Sequence, residues 1–259
     1  MPERALKAVA VASLLAATSL PSPGIAQRLE GARSLSETDW GYTIVDTPVA
    51  AGFEAQRFEV RPGDCAAGST WDDCATDRER SEFRPRARWE PGADLWIGFA
   101  LLLPEDFASS EAVNTTLLQI HQQGGPIRTA DGGQVSRPPV MQIEARGERL
   151  RLTVHIAGAD NIHHDLGPLS ALRGDWRRMV VHFDSAQPRL QIWINDEAVA
   201  DITDWPLPDP EFFYLKYGLY RSFVSRHEGP MPTQVAYFDE MRLGTSAAEV
   251  RPDPARPVD

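Results

Sequence analysis

The sequence predicts an all-β fold, a two-sheet antiparallel β-sandwich of the jelly-roll kind. Three observations carry the fold class. From residue 27 onward, short apolar runs alternate with polar residues at the period of a strand. Turn chemistry separates the runs: PGD, PGAD, GGP, DGG, RGE, RGD and PLPDP. Long stretches of helical period are absent, and strands without intervening helices pack as sheets face to face. A chain of 259 residues is an ordinary length for one such domain.

In chain order, the first element is a leader. Arg4 and Lys7 precede the apolar run AVAVASLLAATSL, and Ala26 offers a small residue for cleavage. The run is short for a bilayer span and is followed by Pro21 and Pro23, which favours export over anchoring. Residues 1–26 are therefore read as a signal peptide, 27–250 as one domain and RPDPARPVD (251–259) as a mobile tail. The expected strands are QRFEV, SEFRPRARW, LWIGFALLL, TTLLQIH, VMQIEA, RLRLTVHIA, WRRMVVHF, RLQIWIN, FFYLKYGLYR and QVAYFDEMRL. PEDFASSEA is read as one short turn of helix and NIHHD as a loop.

Without the leader the chain carries 36 acidic and 24 basic residues, a net charge of −12. Nucleic acid and anionic membranes are poor partners for such a surface, and a polyanion is admitted only by a locally basic groove. Cys65 and Cys74 are close in sequence and, in an exported protein, are expected to close a disulfide. A secreted or periplasmic monomer is expected.

Successive side chains on a strand point to opposite faces. In FFYLKYGLYR, Phe213, Leu215, Tyr217 and Leu219 form an apolar side, and Tyr214, Lys216, Gly218 and Tyr220 the other. Lysine occurs only at Lys7 and Lys216, so a lysine between two tyrosines stands out against a chain that otherwise uses arginine. Gly218 removes a side chain between Lys216 and Tyr220, which reads as room for a ligand across the sheet. A solvated face with amphipathic tyrosines is the plainer alternative. In LLQIHQQ, Gln119 and His121 share the face opposite Leu118 and Ile120; in ERSEF, Arg80 and Glu82 share one face. Taken singly, His121 is an ordinary polar-face histidine, and Arg80 with Glu82 a surface ion pair of little worth.

Together, RSEF (80–83), QIH (119–121) and YLKYGLY (214–220) resemble, in the same order, the three signature strands of jelly-roll alginate lyases. The concanavalin-like heparin lyase I and glucuronan lyase groups are also similar, through the Lys-x-Gly-x-Tyr strand. Arg221, where alginate lyases more often have Asn-Gln, inclines the resemblance to this second set. It implies β-elimination at a uronic acid of an anionic polysaccharide, without a cofactor for the chemistry. It further implies His121 as base, Tyr220 as acid, Gln119 and Arg80 neutralising the substrate carboxylate, and Lys216 as a point charge beside the reacting tyrosine. Glu82 would orient Arg80, and Tyr214 would contact substrate.

Two other functions fit a sandwich: a non-catalytic uronate-binding lectin-like module and a glycoside hydrolase. A retaining hydrolase needs two carboxylates ~5–5.5 Å apart, and the E-x-D-x-x-E pattern of laminarinase-like enzymes is absent. WDDC (71–74) and Asp239 offer oxygen ligands of the type a structural calcium takes, without fixing a site. Arg84, Arg86 and Arg88 extend the face of Arg80 if the strand stays regular through Pro85.

Overall fold

A strand that alternates apolar and polar residues must cover one face, and two sheets that cover each other meet the need of all their strands at once. The computed structural model describes residues 28–69, 71–128 and 132–254. Its strands are β1 (Gly31–Arg33), β2 (Tyr42–Val45), β3 (Ala55–Val60), β4 (Arg78–Pro85), β5 (Arg88–Trp89), β6 (Asp94–Leu102), β7 (Asn114–Gln123), β8 (Ile127–Arg128) and β9 (Gln134–Val135). They continue with β10 (Met141–Arg146), β11 (Arg149–Val154), β12 (Ile162–Pro168), β13 (Arg177–Asp184), β14 (Arg189–Ile194), β15 (Glu197–Thr203), β16 (Phe212–Ser222) and β17 (Gln234–Gly244). The first large sheet runs β1-β4-β16-β7-β10-β11-β12, with β5 also on β16; the second runs β15-β14-β13-β6-β17-β3-β2. This is the expected antiparallel sandwich.

The inward faces form one core. Phe213, Leu215, Tyr217 and Leu219 of β16 are fully buried, as are Leu150, Leu152 and Val154 of β11. Each such side chain contributes about 1.5–3 kcal/mol by leaving water. Polar ties also cross between the sheets. The Tyr217 phenol donates to Gln56 Oε1 at 2.7 Å, and the Thr115 hydroxyl donates to Gln234 Oε1 at 3.0 Å.

The elements that differ from expectation differ for local reasons. PEDFASSEA is not helical: Phe107 N–H closes a turn on the Pro104 carbonyl, and Ser110 Oγ accepts from the N–H groups of Ala112 and Val113. NIHHD enters β12 instead of a loop. His163 turns to Thr153 and His164 to the Val199 carbonyl, so pairing with β11 uses polar side chains that carry no apolar signal. Arg86 leaves the row of Arg84 and Arg88 after Pro85 ends β4, and faces Glu30. Of the expected tail, Pro252 is buried and Arg251 and Asp253 are held by Arg242. Residues 255–259 and the expected leader lie outside the described residues. The Cys65–Cys74 disulfide is formed.

Gly218 is where sequence reading and structure part. Across β7 and β16, Tyr217 faces Leu118 but Tyr220 faces Thr116, so β16 carries one extra residue at this point. Opposite, β10 passes from Ile143 to Glu144 while β7 passes from Leu118 to Thr116. Adjacent bulges of this kind bend and twist the strands they occur in. Gly218 has φ +126°, and a Cβ there would meet the Ser81 carbonyl at 2.4 Å and the Phe58 ring at 2.7 Å. Its missing side chain makes room for the core, not for a ligand. Gly218→Ala is expected to destabilise the fold by roughly 2–4 kcal/mol, from overpacking and backbone strain together. Urea unfolding measures this, and an unchanged midpoint would show that the bulge relaxes without cost.

Candidate active site

Three neighbouring strands, β4, β16 and β7, present their outer residues on one face of the first sheet. Their register sets Arg80 opposite Tyr220, Glu82 opposite Gly218, Gln119 opposite Lys216 and His121 opposite Tyr214. The residues singled out from separate parts of the sequence therefore share one face.

Glu82 is the hub. Only 2% exposed, it accepts from Arg80 Nη1 at 3.0 Å and from Gln119 Nε2 at 2.5 Å, and Lys216 Nζ lies 3.9 Å away. Arg80 also donates to both oxygens of the fully buried Asp73, at 2.5 and 2.6 Å. Burial alone would weaken the Arg80 charge, but Glu82 and Asp73 outweigh it and hold its pKa above the usual arginine value. Buried ions are tolerated only when paired and hydrogen-bonded in this way. Arg80, expected to meet the substrate carboxylate, thus has both carboxylate-binding edges engaged within the protein.

At one end of the row, the His121 ring stacks on Tyr214 at 5.0 Å, and the Arg84 guanidinium lies 4.1 Å over the same tyrosine. Burial, then the positive charges of Lys216, Arg80 and Arg84, lower the His121 pKa to about 3 against a hydrogen bond to the Gln122 backbone. His121 Nδ1 lies 3.0 Å from the Gln122 carbonyl and 2.9 Å from the Gln122 N–H; the tautomer that donates from Nδ1 to the carbonyl is the one that leaves the Nε2 lone pair to act as a base. Burial likewise raises the Tyr214 phenol. Lys216 is lowered to about 8 by burial, opposed by Glu82 and reinforced by Arg80 and Arg84.

At the other end, Tyr220 lies under Arg80, whose guanidinium carbon is 4.4 Å from the ring centre. Its phenol oxygen accepts from Arg78 Nε at 3.3 Å. The cation at the phenol oxygen is therefore Arg78, where the sequence pointed to Lys216. Arg221 takes the opposite side, as alternation required, and is fully buried in an ion pair with Glu79.

Two participants were missed in the sequence. Arg78 falls on the same face as Arg80 and Glu82 by simple alternation in RERSEF, which was sufficient to find it. Asp73 carried no such signal; the loop closed by Cys65–Cys74 delivers it to Arg80. The polar floor also continues beyond β7: His155 bonds Gln142, which donates to Thr116. The oxygen ligands considered for calcium do not gather. Asp72 accepts from Ala75, Asp73 from Arg80, and Asp239 from the backbone amides of Ala50 and Ala51. Among the described residues no group of three or more His, Cys, Asp or Glu is arranged to hold a metal ion.

A family model described as polysaccharide lyase matches residues 24–242. Among solved structures, the chain is similar to the endo-β-1,4-glucuronan lyase of the fungus Trichoderma reesei. The identity is 19% and the TM-score 0.66, over 85% of this chain and 93% of that one. It is similar also to the family 7 alginate lyase A1-II′, at 15% identity and TM-score 0.55, over 80% of this chain and 84% of that one. The marine alginate lyase AlyA1 from Zobellia galactanivorans matches at 13% identity and TM-score 0.53, over 80% and 81%. No curated protein matches the chain. At these identities the structural likeness carries the fold.

The low pKa of His121 has a consequence for stability. Between about 3 and 6.5 the unfolded chain binds the proton and the folded chain does not, so stability is lost as pH falls through this window. His155, lowered to about 4 by burial and then by His163, acts in the same direction. His121→Asn removes one of these two contributions. Its thermal midpoint is expected to fall less steeply with acidification than that of the unaltered chain, and parallel curves would contradict the assignment.

Proposed function

The chain belongs to the polysaccharide lyase family and is a polysaccharide-cleaving lyase; from that premise we propose that it is exported and cleaves a glucuronan-like polyuronate by β-elimination. The observation that carries this reading is the single row in which His121 and Tyr220 flank the Lys216–Glu82–Gln119 cluster. The substrate class follows from two supports: the surplus of cations on this face, and the likeness to a glucuronan lyase over 93% of that chain. Export is supported by the disulfide and by the N-terminal leader pattern.

The C5 proton of a uronate is barely acidic while its carboxylate keeps full charge, so that charge must be met first. Lys216 and the second amide hydrogen of Gln119 are the donors left for it, because Arg80 is engaged by Asp73 and Glu82. Arg84, held on Tyr214, adds a further cation. His121 Nε2 then takes the C5 proton. The C–H electron pair becomes the C4–C5 double bond, the C4–O bond breaks, and the Tyr220 phenol protonates the departing oxygen. Exchange with water returns a proton to Tyr220 and removes one from His121. A hydrolase reading lacks its two working carboxylates: Asp73 and Glu82 both serve Arg80 and are buried.

A panel of glucuronan, heparin-like chains and alginate, followed by the ultraviolet absorbance of the unsaturated uronate, tests the reading. Product is expected from glucuronan, and His121→Ala should lower the rate by about 10²–10⁴-fold, the usual worth of a positioned base. Binding without product on every uronate would favour a lectin-like module instead.

The pH profile supplies a separate check. A neutral imidazole with its pKa at about 3 stays a competent base well into acid, whereas the Lys216 charge is lost as pH rises through about 8. Activity is therefore expected to decline above about 8. Lys216→Arg, whose guanidinium keeps its proton, should move that decline upward, and an unmoved alkaline limb would exclude Lys216 as its origin.

A further inference from the structure

Beyond Tyr220, β16 runs through Ser222 into Phe223, and Ser222 pairs with Arg78 of β4. Two guanidinium groups lie over the Phe223 ring, Arg78 at 4.1 Å and Arg226 at 4.2 Å. We infer that Arg78 and Arg226, held on Phe223, form an anion subsite for the carboxylate of the uronate on the leaving-group side of the scissile bond. This assignment rests on the polyuronate reading above and extends it to a neighbouring sugar.

Four features support it. First, neither arginine has a carboxylate within ion-pair distance among the described residues, although the chain as a whole carries a formal charge of −11. The two carboxylates that flank Arg78 in sequence are engaged elsewhere: Asp77 accepts from the Ser225 N–H at 3.0 Å and hydroxyl at 2.7 Å, and Glu79 pairs with Arg221. Two like charges beside one ring lack a counter-ion that a bound carboxylate would supply.

Second, an aromatic face holds a guanidinium without using its N–H groups, so its planar edge stays available for bidentate recognition of a carboxylate. Third, the turn that presents the ring is strained and braced. Phe223 sits in the left-handed region at φ 61°, ψ 51°, costly for a bulky residue, and its N–H and that of Val224 both donate to the Asp77 carbonyl. Strain of this kind persists where surrounding structure enforces it, and it concentrates at ligand sites.

Fourth, the subsite touches the chemistry. Arg78 Nε donates to the phenol oxygen of Tyr220, the group assigned to protonate the departing oxygen. That oxygen remains on the neighbouring sugar after cleavage, so the sugar that leaves must lie past the phenol, where Arg78 and Arg226 are.

The test uses the full chain and its Arg226→Gln form, because Arg226 is exposed and lies outside the hydrogen-bonded cluster around Glu82. Oligoglucuronates of defined length are titrated calorimetrically, and cleavage of the polymer is followed by absorbance. Arg226→Gln is expected to weaken oligomer binding and raise KM about tenfold with kcat little changed, and to flatten the salt dependence of binding. Arg226→Lys should recover only part of the loss, since it restores charge without the planar edge. If the unaltered chain cleaves glucuronan and Arg226→Gln alters neither KM nor binding, the subsite is wrong and the lyase reading stands. If the unaltered chain binds oligomers without cleaving them and Arg226→Gln still loses tenfold, the uronate-carboxylate site at Arg78 and Arg226 stands, while its place on a leaving-group side falls with the elimination reading. If the unaltered chain binds no uronate oligomer, the subsite is overturned as well.

Discussion

A buried carboxylate organises this protein's working face. Glu82 accepts from Arg80 on its own strand and from Gln119 on β7, and it lies beside Lys216 on β16, so three strands are cross-tied through one side chain. Leaving such a group unpaired in the interior costs on the order of 3–5 kcal/mol. Arg80 is therefore obligatory, and Arg80 in turn needs a second anion. Asp73 supplies it from a loop that the Cys65–Cys74 bond closes and that Trp71 Nε1 and the Ala66 carbonyl further hold. The disulfide, distant from any chemistry by its sequence, is one step removed from the hub.

The charges inside this network cancel: Asp73 and Glu82 against Arg80 and Lys216. What remains on the face is Arg84 and Arg78, together with a histidine kept neutral by burial and by the cations around it. A site with surplus positive charge and an uncharged base suits a reaction that must first neutralise a carboxylate and then remove a proton beside it. Burial first, and then the same cations that would attract the substrate, keep the imidazole free of a proton.

Much of this was legible because strand alternation is strict. Phe213, Leu215, Tyr217 and Leu219 fall in the core, and Tyr214, Lys216 and Tyr220 on the working face, as period two requires. The face-sharing of Arg80 with Glu82, and of Gln119 with His121, was equally open to reading. What was hidden depends on pairing between distant segments. Gly218 looked like a gap for substrate, but its role is fixed by Phe58 and Ser81, which no local pattern connects to it. NIHHD gave no apolar rhythm because β12 is a sheet edge whose histidines bond to neighbouring side chains and backbone. Asp73 was read for its chemistry as an oxygen ligand; its actual partner lies across a loop closure that sequence spacing does not reveal.

How an acidic protein can offer a polyanion a favourable face follows from how it distributes its arginines. Elsewhere on the surface many are matched to carboxylates: Arg149 to Asp165, Arg173 to Glu148, Arg189 to Asp201. Along the seam of β4, β5 and β16 they are matched instead to rings: Arg78 to Phe223, Arg84 to Tyr214, Arg88 to Phe212. A carboxylate partner cancels the charge and fills the hydrogen-bonding edge, whereas a π-face orients the guanidinium and leaves both in place. Charges on the far side are screened beyond ~10 Å at 0.1 M salt, so a bound chain feels mainly the seam. Arg80 is the exception that clarifies the rule: it has both kinds of partner, Glu82 and Asp73 at its edges and the Tyr220 ring at its face.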